Sequence, residues 1–375
     1  MKPAIEVIGK DKCTGCFGCY NSCPRNAIQM KIEKGFFVPT IDKKKCNNCG
    51  LCNKFCPVIN NVKDKFTSPR AFAAKTKDKK LLLESSSGGI FGELANYFFE
   101  KEGVVYGAGF DKDFNLVHME IKDKLNLSKI LGSKYLQSNI GFSYKKIINQ
   151  LKKGGKILFC GTPCQISSLN LFIKKINPIL QENILTCDLV CHGVPSLDLF
   201  KKYINKLEVK NKSKVKKISF RSKREGWRNS SMEIDFGNKK YIKNHRIDSF
   251  MQEFLNNKNL RISCYDCQFS KIPRCGDITL GDLWGAKSGF YNSKGVSFIS
   301  INSKKGEEAI KMLEKEKRII LKRYPLAKAI KDNPRIDYYK INMNKKTKEF
   351  FLLTYLWYYL SKLKTYYQNV FYKKF

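Results

Sequence analysis

The fifteen cysteines of this 375-residue chain fall into three groups: eight before residue 60, four between 160 and 191, and three between 264 and 275. "CTGCFGCYNSCP" (13–24) and "CNNCGLCNKFCP" (46–57) both read C-x-x-C-x-x-C-x-x-x-C-P. That spacing wraps three thiolates round one iron–sulfur cubane. The proline then ends the local turn and sends the fourth thiolate to the neighbouring cluster. Cys13, Cys16, Cys19 and Cys56 are therefore expected on one 4Fe–4S cluster, and Cys46, Cys49, Cys52 and Cys23 on a second. Gly15, Gly18 and Gly50 let backbone amides approach the sulfurs. A zinc ribbon uses two C-x-x-C pairs and would leave four of the eight idle. The last group, Cys264, Cys267 and Cys275 in "RISCYDCQFSKIPRCGDITLGDLWG" (261–285), is one thiolate short of a four-ligand site. The missing ligand must come from elsewhere in the fold.

These residues need elements to hold them, and the length predicts two or three domains. Hydrophobic content of 42% and charged content of 28% are those of a globular protein. So many cysteines behind an N-terminus without an apolar signal core point to metal or redox chemistry in the cytoplasm. The longest apolar stretch, "FFLLTYLWYYL" (350–360), is shorter than the ~20 residues that span a bilayer. A formal charge of +38 raises nucleic acid as a partner. The excess is a lysine-rich bias spread along the chain, with no recognition helix or Arg/aromatic patch. Nucleic-acid binding is not expected, whereas attraction of an acidic cofactor or acidic partner protein is.

Between the two cysteine runs, "AIQMKIE" and "GFFVPTID" alternate as a short hairpin should. After a lysine-rich linker at about 60–70, strands and helices alternate. Strands are expected at 103–110, 115–122, 156–160, 183–193, 215–221 and 231–243, and helices at 143–155, 165–176 and 196–207. The class is α/β or α+β with a mixed sheet. Two loops could carry chemistry. In "ESSSGGIFGELANYF" (84–98), Ser87, Gly88 and Gly89 precede a helix and could cradle a pyrophosphate, or simply cap the helix. In "FCGTPCQISSL" (159–169), the turn Gly161–Thr162–Pro163 follows a buried strand, where backbone amides can approach a planar ring. Cys160 and Cys164 there are spaced C-x-x-x-C, and packing and redox roles remain open for both.

Together these stretches resemble the family of coenzyme F420 hydrogenase/dehydrogenase beta subunits. The matching segments are "SSSGGIFGEL", "GSKYLQSNIG", "FCGTPCQISSL", "DLVCHGVPS", "FRSKREGW" and "CYDCQFSKIPRCGDITLGDLWG", in the family's order. The resemblance implies a bacterial ferredoxin-like module with two 4Fe–4S clusters over 1–62 and a mixed-sheet flavin-binding domain over 70–295; the remaining 296–375 is expected to be a C-terminal extension whose basic aromatic end reads as a helix. The resemblance also implies FAD beside a third 4Fe–4S cluster, with hydride passing to or from an acceptor such as coenzyme F420. A redox partner, either a ferredoxin or hydrogenase/dehydrogenase subunits, is implied as well. Relatives encoded among polysaccharide-synthesis genes leave another organic substrate open, and the alternative from a different class is a non-catalytic electron-transfer subunit. For the third cluster's fourth ligand the candidates are Cys160, Cys164, Cys187 and Cys191. Cys191, in the loop after a strand, is the choice, with a zinc site using His192 or His245 as the competing reading. Motif membership further implies Lys134, Tyr135, Gln137, Gln165 and Arg221 against the cofactor or acceptor, with His192 as a proton donor and Lys134 as a second catalytic candidate. The aromatic tail is expected to dock on the protein or a partner, with at most peripheral membrane contact.

Overall fold

The computed structural model describes residues 1–60, 66, 68–287, 289–337 and 340–341. The cysteine-rich front folds round the antiparallel hairpin β1 (Ile28–Glu33) and β2 (Phe36–Ile41), as the alternation predicts. Its turn uses Lys34 and Gly35, both at positive φ. A Cβ at Gly35 would strike the Ser196 hydroxyl and the Leu197 and Asp198 amides. Only glycine lets this turn sit on the start of the helix Leu197–Asn211, where the Leu197 amide donates to the Gly35 carbonyl.

The rest of the described chain is built on strands β3 (Arg70–Thr76), β4 (Val104–Phe110), β5 (Leu116–Ile121), β6 (Ile157–Gly161), β7 (Ile184–Leu189), β8 (Lys217–Ser222), β9 (Ser231–Asp235), β10 (Lys240–Asn244), β11 (Ile278–Asp282), β12 (Ser297–Ile301) and β13 (Ile319–Arg323). Eight of them form one mixed sheet in the order β13-β3-β12-β11-β7-β6-β4-β5, while β8, β9 and β10 form a separate antiparallel sheet. At the centre of the large sheet, β4, β6, β7 and β11 run parallel. Parallel strands are covered on both faces, and β6 is accordingly buried along its whole length. The helix Pro163–Ile176 follows directly. Thr162 caps it, and the Thr162 amide donates to Gln165 Oε1 at 3.0 Å.

The mixed α/β sheet behind a ferredoxin-like front is the fold class expected. The large sheet continues past residue 295, because β12 pairs with β11 and β3, and β13 pairs with β3. A Lys/Ile-rich edge strand such as "IILKR" carries too little alternation to be noticed alone. The basic aromatic helix expected at 345–375 lies outside the described residues. Among those described, no helix is long and apolar enough to cross a membrane.

The front module is fastened to the sheet by buried polar contacts. Tyr144, fully buried, donates its hydroxyl toward the carbonyls of Cys16 (2.9 Å) and Gln165 (3.0 Å). Asn21 donates to the Gly141 carbonyl at 2.9 Å, and the Phe55 ring packs on Phe172 with centroids 5.1 Å apart.

Candidate functional site

A cavity of about 370 Å³ opens beyond the carboxyl ends of the four parallel strands, where ligands of open α/β sheets collect. Gly107 and Ala108 of β4, Cys160 and Gly161 of β6, Leu189 of β7 and Leu280–Asp282 of β11 line it. The loops singled out in the sequence converge on it. Ser87 and Gly89 come from one side, Lys134 and Tyr135 from another, and Thr162, Gln165, His192 and Arg221 complete the wall.

The polar groups in this wall differ in what they can do. Lys134 Nζ donates to the Leu131 carbonyl at 2.6 Å, and burial pulls its pKa down to about 7, with Cys160 opposing the shift. Arg221 is held against Asp282 at 2.5 Å, whose other oxygen accepts from Trp227 Nε1 at 2.9 Å. Trp284 stacks on fully buried Trp227 at 5.0 Å and lies 5.3 Å from the Arg221 guanidinium. It keeps 38% of its surface exposed, so it flanks the cavity instead of filling the core. His192 Nε2 meets the Phe254 carbonyl at 3.1 Å. Burial, then Arg335, pushes its pKa down to about 4, so it sits neutral with Nε2 as the donor.

Not every expected residue faces the cavity. The Gly88 amide donates to Ser297 Oγ at 2.9 Å, and a Cβ there would meet the Ala74 carbonyl oxygen. The Ser87 hydroxyl donates to the Val296 carbonyl at 2.8 Å. Beside them Ser85 Oγ lines the cavity, buried and without a partner among the described residues. Gly89, at φ 85°, starts the helix Ile90–Phe99, whose first residues line the cavity. Pro163 is the first residue of its helix and lies outside the lining. Gln137 is buried elsewhere, donating to the carbonyls of Thr14 (2.8 Å) and Gly15 (3.0 Å) in the first cysteine run. Two residues had escaped sequence reasoning. His118, a single histidine in "NLVHMEIK", is buried in the cavity wall between Ser138 (2.8 Å) and the Cys160 carbonyl (3.0 Å). Arg261, just ahead of Cys264, is buried against the first cysteine run.

The thiols gather in three groups. Burial pushes the Cys19 thiol well up, and the neighbouring Cys16, Cys13, Cys56 and Cys52 sulfurs add to it. Cys56, pushed up to about 12 by burial, feels Cys16 and Cys13. Cys23, Cys46, Cys49 and Cys52 line a second cavity of about 30 Å³ at the outer end of the front module, where Cys49 is exposed. In the third group, burial and then the Cys267, Cys191 and Cys16 sulfurs raise the Cys164 thiol well up. Cys264, at about 12, feels burial first and then Cys267 and Cys191. Cys275 is buried in the same core, its thiol 3.6 Å from the Phe269 carbonyl. Cys160 and Cys187 stand opposite each other on β6 and β7. Among the described residues no three His, Cys, Asp or Glu side chains converge on a single-ion site.

A family model for the C terminus of coenzyme F420 hydrogenase/dehydrogenase beta subunits matches residues 154–325, and a 4Fe–4S dicluster domain model matches residues 12–60. The chain is 24% identical over 209 residues to one of the subunits of F(420)H(2) dehydrogenase from Methanosarcina mazei, covering 51% of this chain and 56% of that one. It is 25% identical over 171 residues to the coenzyme F420-dependent sulfite reductase of Methanocaldococcus jannaschii, covering 44% of this chain and 26% of the relative. The front alone is 38% identical over 65 residues to VorC, one of the ketoisovalerate oxidoreductase subunits of Methanothermobacter marburgensis, covering 16% of this chain and 82% of the relative. The chain thus spans about half the length of the first relative and about a quarter of the second. A chain of the F420-reducing NiFe hydrogenase complex from Methanosarcina barkeri shares the fold, with a TM-score of 0.51 and 18% identity over 72% of this chain and 89% of that one.

Proposed function

Because the chain belongs to the family of coenzyme F420 hydrogenase/dehydrogenase beta subunits and carries a 4Fe–4S dicluster module in front, we propose that it relays electrons between a redox partner protein and a flavin site at the end of its sheet. The supporting observation is the line of thiols. It starts at exposed Cys49, passes through Cys52 to Cys19 and from Cys16 to Cys164, and reaches the cavity at Cys191. An iron–sulfur oxidoreductase needs such a file of centres between its surface and its substrate. In this reading Cys164, Cys191, Cys264 and Cys267 hold the third cluster. Cys164 supplies the ligand that the C-x-x-C pair and Cys191 lack, in place of Cys275.

The cavity has the character a flavin nucleotide requires. Its walls are largely apolar, Ser85 offers a buried hydroxyl with no partner among the described residues, and a helix starts at Gly89 for an anionic group. FAD bound there would supply the exchange between single electrons and a hydride. Arg221, fixed by Asp282, holds a positive charge at the wall. Lys134 Nζ, with a pKa near 7, holds or releases a proton at the cavity surface. Trp284 adds an aromatic face to the same wall, beside Arg221.

Turnover tests this reading. Anaerobic protein reduced by viologen should be reoxidised catalytically by coenzyme F420 or by another soluble organic hydride acceptor. Complete reduction with no turnover for any acceptor would favour the second reading, an electron-transfer subunit, which is supported by the Methanosarcina mazei relative being one of several subunits itself.

A further inference from the structure

Among the described residues the buried arginines come with a carboxylate, with one exception. Arg221 pairs with Asp282 and Arg274 with Asp188. Arg261, only 3% exposed, reaches the carbonyls of Cys13 (2.8 Å) and Phe37 (2.6 Å) and the amide oxygen of Gln137 (3.2 Å). Its Nε is buried with no partner, and no carboxylate pairs with it, among the described residues. Lys223 is also buried against carbonyls alone, and burial holds its pKa down to about 7, where it can shed its charge. A guanidinium cannot. The Phe36 ring, 5.2 Å from the Arg261 guanidinium carbon, and the neutral oxygens that Arg261 reaches offset only part of the cost of a permanent charge in a core, so a negative group belongs beside it. Arg261 stands between two thiol groups: its side chain holds the Cys13 carbonyl, which also accepts from Ser263 Oγ at 3.1 Å, and its own carbonyl accepts from the Cys264 amide at 2.9 Å.

We propose that Arg261 is the counter-charge shared by the first ferredoxin cluster and the cluster beside the cavity, raising the reduction potential of both. The proposal rests on the cluster assignment above. Reduction adds one electron, and so one negative charge, to a thiolate-ligated cluster without making or breaking a bond. A fixed cation in a low-dielectric junction favours that added charge. Among the described residues Arg261 hydrogen-bonds to the first cysteine run and not to the outer run of Cys46, Cys49 and Cys52, so little of this help reaches the outer cluster. The same guanidinium ties the front module to the loop carrying Cys264, so it binds the two centres together while setting their affinity for electrons.

Anaerobic redox titration with dithionite, followed by electron paramagnetic resonance, reads each cluster's midpoint. In Arg261→Gln, two of three midpoints should fall by at least tenfold in reduction equilibrium, 59 mV for a one-electron couple, with the third unchanged. At pH 6, where even a lysine buried against carbonyls keeps its proton, Arg261→Lys should hold both near the wild-type values. A full iron complement in Arg261→Gln with unmoved midpoints would overturn the proposal. So would Arg261→Lys shifting as far as Arg261→Gln. If Arg261→Gln sheds its iron, the lysine variant decides alone: retained midpoints support the counter-charge, and a tenfold fall contradicts it. Wild-type protein without three clusters would instead defeat the cluster assignment itself, a different failure.

Discussion

Cys164 and Lys134 carry most of the chemistry argued at the level of single residues. In the chain they look ordinary, one in a C-x-x-x-C pair and one lysine among many. Cys164 acquires meaning only when the fold brings it to Cys191 and Cys267. Cys164→Ala should therefore remove one cluster and about four of ~12 irons, whereas Cys275→Ala should keep all three cluster signals. Iron analysis with electron paramagnetic resonance checks both. Lys134 is chemically useful because burial makes its ammonium only partly populated at neutral pH. Burial lowers the pKa, so the proton-carrying form prevails below about 7 and is lost above it. Acceptor reduction that draws on this proton should slow as pH rises through 7. Lys134→Met should lower kcat roughly 10²-fold or more and abolish that limb of the pH profile. A profile unchanged in the methionine variant would remove Lys134 from proton transfer.

Among the elements, the parallel core of the sheet does the positioning. β6, β7 and β11 end together, so the loops after them bring Thr162, Cys191 and Trp284 to one opening. The junction of β7 with the third-group loop rests on a fully buried ion pair, Arg274 with Asp188, to which Thr279 Oγ1 also donates at 2.7 Å. Asp188→Asn keeps the shape and leaves the guanidinium unpaired. It should cost about 3–5 kcal/mol, read as a lowered denaturant midpoint, with the third cluster lost before the other two on titration. Most of these elements were legible beforehand. The hairpin β1–β2, the strands β4 to β7 and the helix Pro163–Ile176 all follow from alternation, helical spacing and caps. A strand and then a helix were also expected from residue 296, where β12 and the helix Lys304–Lys315 lie, whereas the edge strand β13 was harder to assign. The place of both strands in the sheet comes from pairing with β3, more than 200 residues back along the chain, and local pattern holds no record of such distant partners.

At the scale of the molecule, the front module and the sheet meet through groups whose partners could not be foreseen. Gln137 was expected at the cofactor because of the motif around it, yet it is spent on Thr14 and Gly15. A glutamine's hydrogen bonds depend on tertiary neighbours, and sequence does not name them. The cysteine runs are the opposite case. Their grouping was expected from spacing alone; in the fold Cys19 has Cys16, Cys13 and Cys56 as neighbours, with Cys52 beyond them, and Cys23, Cys46, Cys49 and Cys52 line one small cavity. The central claim is that these centres, and a third built from distant thiols, lead to a flavin. Anaerobic purification with iron, acid-labile sulfide, zinc and flavin quantitation tests it most directly. The account predicts brown protein with about 12 irons and one FAD per chain. Colourless protein, or protein holding zinc and no flavin, would contradict it.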